Sequence, residues 1–202
     1  NTAVGYGSLD ANTTASNNSA FGHMALGANT TGGTNTAVGA SAGAATTTGS
    51  NNTFLGSTAG DANTTGLQNV AVGSAALTAN TTASNNTAVG FLALGSNTTG
   101  AGNTAIGHGS MDANTTGASN VSVGQNALGA NTTASGNNAL GVNALLNTTT
   151  GANNTGMGYA ALQANTTGAA NTAVGYTAFA ANTEADGGVA IGNRALDANT
   201  TG

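Results

Sequence analysis

Large apolar side chains return along this chain with a period of seventeen residues, and the polar positions between them keep the same phase. With Asn1 taken as column one of the first coil, column four is large and apolar in all twelve repeats, from Val4 to Ile191. Column nine is Leu, Met or Phe in ten repeats, with Gly43 and Gly60 as the exceptions. A period of this length without insertions is typical of a solenoid, in which each repeat is one coil stacked on the last.

The pattern within each repeat predicts two short strands. Columns two to four are rich in Thr and Val, and strand alternation places columns two and four on one face and columns three and five on the other. We expect the column-four side chains to point inward, so that columns four and nine form the core. The small residues of columns three and five would then lie outside. A second strand is predicted from column seven or eight to about column twelve.

Glycine and the Asn-Thr-Thr segment interrupt every coil, which leaves no stretch of useful helical length. Column five is Gly in all twelve repeats and predicts a corner with positive φ or a close backbone approach. Residues 1–202 are therefore predicted to be one all-β repeat domain, a parallel β-solenoid (β-roll) about 57 Å long at about 4.8 Å per coil. The chain opens at the first position of a repeat and closes two residues short of completing one, so we expect a window of a longer array.

The charge balance limits the partners that this chain could bind. The formal net charge is −5, and Arg194 is the only fixed positive charge. One basic residue cannot neutralise a phosphate backbone or attract the chain to an anionic membrane surface, so neither nucleic acid nor membrane is expected as a partner. The chain has no Cys, which excludes disulfides and thiolate metal sites.

The side chains that could carry chemistry are too far apart to act together. His23 and His108 share column six but lie five coils apart, about 24 Å in a stacked solenoid. Asp10, Asp61 and Asp112 recur in column ten at every third coil, about 14 Å apart, which is too far for paired acid–base chemistry or shared calcium ligation. We therefore expect no enzyme, no cofactor and no metal site.

The Asn-Thr-Thr segment of columns twelve to fourteen is the candidate for a functional surface. Column thirteen is always Thr, column fourteen is Thr except at Glu184, and column twelve is Asn except at Thr46 and Thr148. These files could form turn and inter-coil hydrogen bonds. Alternatively, one Thr file could join the Asn file on the outside as a flat, ice-binding face. The candidate surface-binding strip consists of Asn12, Thr14, Asn29, Thr31, Asn63, Thr65, Asn80, Thr82, Asn97, Thr99, Asn114, Thr116, Asn131, Thr133, Asn165 and Thr167.

The pentapeptide that opens each coil also resembles a known repeat. Asn-Thr-Ala-Val-Gly-x-x-Ser-Leu at Asn1–Leu9, with its counterparts at Asn69–Leu77 and Asn103–Met111, is similar to the head repeats of YadA-type trimeric autotransporter adhesins. Similar repeats occur in phage tail-fibre and bacterial surface proteins. The resemblance covers the whole chain and implies a left-handed parallel β-roll, usually a homotrimer, exposed outside a cell or virion and used for attachment. Column two, which is Val-rich in that family, is mostly Thr here.

These observations together predict a structural and adhesive fibre protein located outside the cell, at a cell surface or on a virion. Many weak, identical patches along a stiff rod would gain avidity without a deep pocket. The expected partners are further copies of the chain, as a homotrimer or filament, together with glycans or host and abiotic surfaces. The small residues of columns three and five, expected outside, would let another chain pack closely.

Overall fold

The computed structural model describes residues 1–201. This range contains no helix, and so no helix with the length and apolarity needed to span a membrane. Within this range, twelve three-residue strands pair in chain order as one parallel sheet, with Thr2 opposite Ser19 and Val4 opposite Phe21. The predicted all-β parallel solenoid with seventeen-residue coils is thus confirmed. The strands are β1 Thr2–Val4, β2 Ser19–Phe21, β3 Thr36–Val38, β4 Thr53–Leu55, β5 Val70–Val72, β6 Thr87–Val89, β7 Thr104–Ile106, β8 Val121–Val123, β9 Asn138–Leu140, β10 Thr155–Met157, β11 Thr172–Val174 and β12 Val189–Ile191.

Each coil has one strand, so the prediction of a second strand is wrong. Columns six to eleven form turns, because columns seven and nine take left-handed backbone angles, with φ of 57° at Leu92 and 51° at Leu94. This conformation ends the alternation that an extended strand needs. The turns still stack through backbone hydrogen bonds: Leu94 N–H donates to the Ser110 carbonyl at 3.0 Å, and Ser96 N–H to that of Asp112 at 2.9 Å.

The glycine of column five makes the corner after each strand. Gly90 has a φ of 135°, which L side chains rarely adopt, and a Cβ there would lie 2.5 Å from the carbonyl oxygen of Gly107 in the next coil. Positive φ and close backbone approach, the two reasons predicted for this residue, therefore both apply.

The predicted orientation of the strand is wrong. Column three points inward, with Ala37 and Ala88 fully buried, whereas the column-four side chains of Val38 and Ile106 are 41% and 40% exposed. Column nine is inside, as predicted: Leu94 is fully buried. The core consists of the small residues of columns three and eight packed against the column-nine leucines.

Lack of space explains why the small residue faces inward. At Gly156, the glycine in column three, even an added Cβ would lie 3.1 Å from Leu145 Cγ. The leucine layer therefore leaves room for little more than a methyl group on the opposite wall, and the larger side chain of column four must turn outward.

Phe54 is the exception in column three, and it explains the two gaps in column nine. A Cβ at Gly43 would lie 2.6 Å from Phe54 Cδ2, and one at Gly60 would also overlap the ring. The fully buried ring thus fills the space that two leucines occupy elsewhere. Phe179 is accommodated similarly, because Gly188 beside it has no side chain to collide with the ring.

Candidate functional site

The asparagines of the candidate strip do not reach the surface, so the expectation that they join a Thr file on the outside is wrong. Asn12 is half-buried. The remaining members are completely buried, namely Asn29, Asn63, Asn80, Asn97, Asn114, Asn131 and Asn165. A buried amide must find hydrogen-bond partners inside the protein, and these side chains find them in the neighbouring coil and in their own turn.

The buried amides form a ladder that ties the coils together. Asn97 Nδ2 donates to Asn80 Oδ1 of the preceding coil at 3.1 Å and to the Gly100 carbonyl at 3.0 Å. Asn86, in column one, donates its Nδ2 to the same Gly100 carbonyl at 3.0 Å, and its Oδ1 accepts from Asn103 N–H at 2.9 Å. These contacts confirm one of the two interpretations of the Asn-Thr-Thr segment, namely that it forms turn and inter-coil hydrogen bonds.

The column-twelve ladder is interrupted where threonine replaces asparagine. Asn29 Oδ1 and Asn131 Oδ1 are buried without a partner, because Thr46 and Thr148 in the following coils have no amide N–H to donate. Thr46 Oγ1 is also buried without a partner. The two substitutions therefore mark the weakest inter-coil connections in this file.

The threonines of the strip do reach solvent. Column-fourteen side chains are exposed in every coil, including Thr14, Thr31, Thr65, Thr82, Thr99, Thr116, Thr133 and Thr167. Column thirteen is half-buried in the coils between the first and the last, and its hydroxyls serve the stack: Thr81 Oγ1 donates to the Thr98 carbonyl at 3.2 Å. Of the two Thr files, only column fourteen is therefore fully exposed to an outside ligand.

A second surface runs along the outer side of the sheet and includes columns two and four, which were expected to face inward. We name it the apolar sheet face and define it as columns two, four and six. Its exposed large apolar side chains are Val4, Tyr6, Phe21, Val38, Phe91, Ile106, Val121, Leu140, Val142, Met157, Tyr159, Tyr176, Val189 and Ile191. The sequence contained a signal for this orientation. Column three is nearly always Ala and column four is always large, and a narrow interior accommodates only the smaller of the two.

Aromatic rings lie at one margin of the apolar sheet face. In three places, column-six rings of adjacent coils stack with interplanar angles of 12° to 20° and centroids 5.4 to 5.6 Å apart: Tyr6 with His23, Phe91 with His108, and Tyr159 with Tyr176. Stacking of this kind adds about 0.5–1.5 kcal/mol for an aromatic pair beyond the burial of its surface. The pairs therefore order this margin of the face.

Columns two, four and six contain no Asp, Glu, Lys or Arg. Burial raises the pKa of Asp61 and of Asp112, and in Asp112 the Ala113 N–H and His108 partly oppose the rise. Arg194 Nε pairs with Asp197 Oδ2 at 2.7 Å. Among residues 1–201 there is neither a cluster of potential metal ligands nor a pocket.

No family model, curated protein or solved structure matches this chain. The resemblance to YadA-type head repeats stays a prediction that rests on the pentapeptide Asn1–Gly5 and its recurrences.

Proposed function

We propose that this protein is a structural and adhesive component of an extracellular fibre, a rigid β-solenoid rod that attaches through many weak contacts or assembles with copies of itself. The observation that carries the proposal is the unbroken stacking of twelve coils in one register. Because every column becomes a straight file, any weak contact made by one coil is repeated at about 4.8 Å along the rod. Repetition on a stiff support converts weak contacts into avidity.

The exposed files indicate the chemistry of attachment. Column fourteen presents hydroxyls and methyl groups, with Glu184 as its one charge. Such a surface suits glycans or neutral host and abiotic surfaces. Location at a cell surface or in a virion fibre, and assembly as a homotrimer or filament, are parts of the same proposal and are supported by the pentapeptide resemblance.

Attachment can be tested by weakening the column-fourteen file one coil at a time. Glutamate is tolerated naturally at Glu184, so Thr82→Glu, Thr116→Glu and Thr150→Glu are suitable changes. Retention of rod-coated beads on glycan-coated and uncoated surfaces under flow should fall steeply with each added change, since avidity multiplies contacts. Thr78→Asp in column ten, where Asp61 and Asp112 occur naturally, is the control. Equal retention of all variants would refute attachment through this file.

Ice binding is the second candidate, and the observation in its favour is the exposure of column fourteen in every coil. Its support is narrower than the sequence suggested, because the Asn file is buried and column-thirteen hydroxyls donate to backbone carbonyls. Thermal hysteresis and shaped ice crystals in dilute solution would favour it, provided that Thr82→Glu with Thr116→Glu abolishes both. Absence of hysteresis in the parent would end this candidacy.

A further inference from the structure

Four exposed asparagines in column seventeen each begin an Asn-x-Ser/Thr sequence, which is the acceptor motif for N-linked glycosylation. The middle residue of each motif is the buried Asn of column one, and the hydroxyl belongs to the first residue of the next strand. The four motifs are Asn17-Asn18-Ser19, Asn51-Asn52-Thr53, Asn85-Asn86-Thr87 and Asn153-Asn154-Thr155. Each motif therefore joins the bend before a strand to the strand itself.

The backbone of this bend does not by itself explain the four asparagines. Asn85 has a φ of 63°, which asparagine adopts more easily than most residues. However, Thr34, Gln68 and Ala170 take φ of 57° to 59° in the same column, so other side chains are accommodated there. Every column-seventeen Asn precedes a Ser or Thr in column two. The other column-seventeen residues precede either Thr or one of Val70, Val121, Asn138 and Val189.

The reacting groups of these motifs are not engaged elsewhere. In Asn85-Asn86-Thr87, only the middle side chain is hydrogen-bonded within residues 1–201, with Asn86 Nδ2 donating to the Gly100 carbonyl at 3.0 Å. The other three motifs are arranged in the same way, with the amide of the middle Asn donating to a backbone carbonyl. The first amide and the third hydroxyl are thus accessible to an enzyme that reads both.

The same tripeptide pattern is inaccessible in column twelve, as at Asn97-Thr98-Thr99. Asn97 is fully buried and its Nδ2 has two acceptors, so its amide would have to leave the ladder before it could react. Asn147 is exposed, but the Thr149 hydroxyl of its motif donates to the Thr166 carbonyl at 3.2 Å. The fold therefore selects column seventeen in a chain where the pattern is common.

From the motif, its exposure and its unengaged amide and hydroxyl, we propose that Asn17, Asn51, Asn85 and Asn153 are acceptor sites for N-linked glycosylation. The donor is a sugar activated at C1 as a phosphate or pyrophosphate ester. The Asn Nδ2 forms a bond to C1 while the C1–O bond breaks, the leaving phosphate takes that electron pair, and a base of the transferase takes one Nδ2 proton. N-glycosylation goes beyond the proposed fibre function and requires only a transferase that recognises this motif.

The four sites form a single file along the rod. Asn17, Asn51 and Asn85 are two coils apart, about 10 Å, and Asn153 lies four coils further, about 19 Å. Each attached sugar therefore has at least one unmodified coil beside it, and the modified rod carries a line of glycans along one side.

The test uses the purified, folded chain with UDP-glucose and a soluble N-glucosyltransferase that recognises Asn-x-Ser/Thr. Intact mass counts the hexoses, and fragment spectra of thermolysin peptides locate them, because Arg194 offers the only trypsin site. We expect glucose at the four proposed sites, with an occupancy at least about tenfold higher than at any column-twelve Asn, which must first leave the ladder by local opening. A peptide of residues 91–103 carries the Asn97 motif outside the fold and should be modified.

Two variants separate the motif from the fold, and circular dichroism checks that both remain folded. In one, the four asparagines become glutamine, as at Gln68, and in the other, the four hydroxyl residues become valine, as at Val70. The changes are Asn17→Gln, Asn51→Gln, Asn85→Gln and Asn153→Gln in the first, and Ser19→Val, Thr53→Val, Thr87→Val and Thr155→Val in the second. Both variants should lose glucose at all four sites. Thr34→Asn, which places a new motif ahead of Thr36, should add one hexose.

Three outcomes would overturn the proposal: a folded parent that gains no glucose at the four sites, equal occupancy of column twelve in the folded chain, or unchanged modification of the valine variant. None of these outcomes affects attachment through column fourteen, which bead retention tests separately.

Discussion

Single asparagine side chains carry much of the inter-coil connection in this protein. In the uninterrupted part of the ladder, a column-twelve amide such as Asn97 donates both to the preceding coil and to its own turn, and column one adds a second hydrogen bond to the same carbonyl, as at Gly100. The hydrophobic core offers little beyond one Leu and two small residues per coil, so buried, fully partnered amides contribute stability that apolar burial cannot.

Thr46→Asn should stabilise the rod. The new amide can donate to Asn29 Oδ1, which is buried without a partner, and to the Gly49 carbonyl, as asparagine does in the neighbouring coils. Relieving one unpartnered oxygen should raise the free energy of unfolding by about 1–2 kcal/mol. Chemical denaturation measures the change, with Thr48→Asn on the exposed file of the same coil as control. A destabilised Thr46→Asn would contradict the ladder argument.

Asp61 should make stability depend on pH. Burial raises its pKa above the ordinary 3.8, so the folded state holds the proton more strongly than the unfolded state. The resulting stabilisation is complete below pH 3.8 and is lost as pH rises through the folded pKa. Asp61→Asn should therefore be at least as stable as the parent at pH 7, with a melting temperature that changes less between pH 3 and 7. Lower stability of the variant at pH 7 would show that the carboxylate is favourable.

At the scale of the element, one strand and its corner could be predicted from the sequence. Which face of that strand points into the coil could not. The period, the parallel pairing and the glycine corner follow from repetition and backbone rules. Large apolar residues usually lie inside, and from this preference Val38 and Ile106 were wrongly expected in the core. They lie outside because the leucines opposite the strand set the width of the interior. The left-handed angle of Leu94, which ended the second predicted strand, is disfavoured locally and is imposed by stacking.

Only part of the candidate surface-binding strip was predicted correctly, because its Thr file is exposed whereas its Asn file is buried. Composition and phase identified the Asn-Thr-Thr files, but alternation alone could not say which file faces inward. The joint deviations at Phe54, Gly43 and Gly60 were the available clue, since one large residue beside two missing leucines indicates that columns three and nine share the interior.

Gly90→Ala should disrupt the corner after β6. The φ of 135° is strained for alanine, and its Cβ would collide with the Gly107 carbonyl oxygen, so a loss of at least about 2 kcal/mol is expected. Gly187→Ala is the control, because its φ of 69° is close to the 57° that Ala170 adopts in the same column and no atom lies within 4 Å of the added Cβ. Urea unfolding of both variants checks the difference, and equal losses would refute the steric argument.

Phe54→Ala should open a cavity and cost about 3–5 kcal/mol. Adding Gly43→Leu and Gly60→Leu to Phe54→Ala restores the residues that other coils use in columns three and nine, and should recover most of the loss. The same two leucines introduced beside the intact Phe54 ring should be destabilising, because both would overlap it. Melting curves of the four proteins form the test, and independent, additive effects would contradict shared space.

At the scale of the whole molecule, each coil contacts only its neighbours, so the rod behaves as a one-dimensional array. Its strands pair strictly in chain order, and its inter-coil hydrogen bonds join residues one coil apart. Stability is then a sum of coil and interface contributions, and length can change without changing the fold.

Deleting residues 69–85, one complete coil, should leave a folded rod about 4.8 Å shorter. Deleting only 69–76 removes β5 and its glycine corner while leaving Leu77 in a fragment that cannot close a coil, and should lower the melting temperature more. Circular dichroism reports the fold, and small-angle X-ray scattering reports the length. A complete-coil deletion that unfolds the chain would show that the array is not modular.

The buried amide ladder also determines how such a rod ages. Asparagine deamidates when the following backbone nitrogen attacks its side-chain carbonyl carbon, which requires the amide to rotate. In the ladder the amide is held by two acceptors, as Asn97 Nδ2 is by Asn80 Oδ1 and the Gly100 carbonyl. Deamidation should therefore begin outside the ladder, at exposed asparagines such as Asn17, Asn51, Asn85 and Asn153. An old rod then gains negative charge on its outside while the buried ladder stays chemically intact.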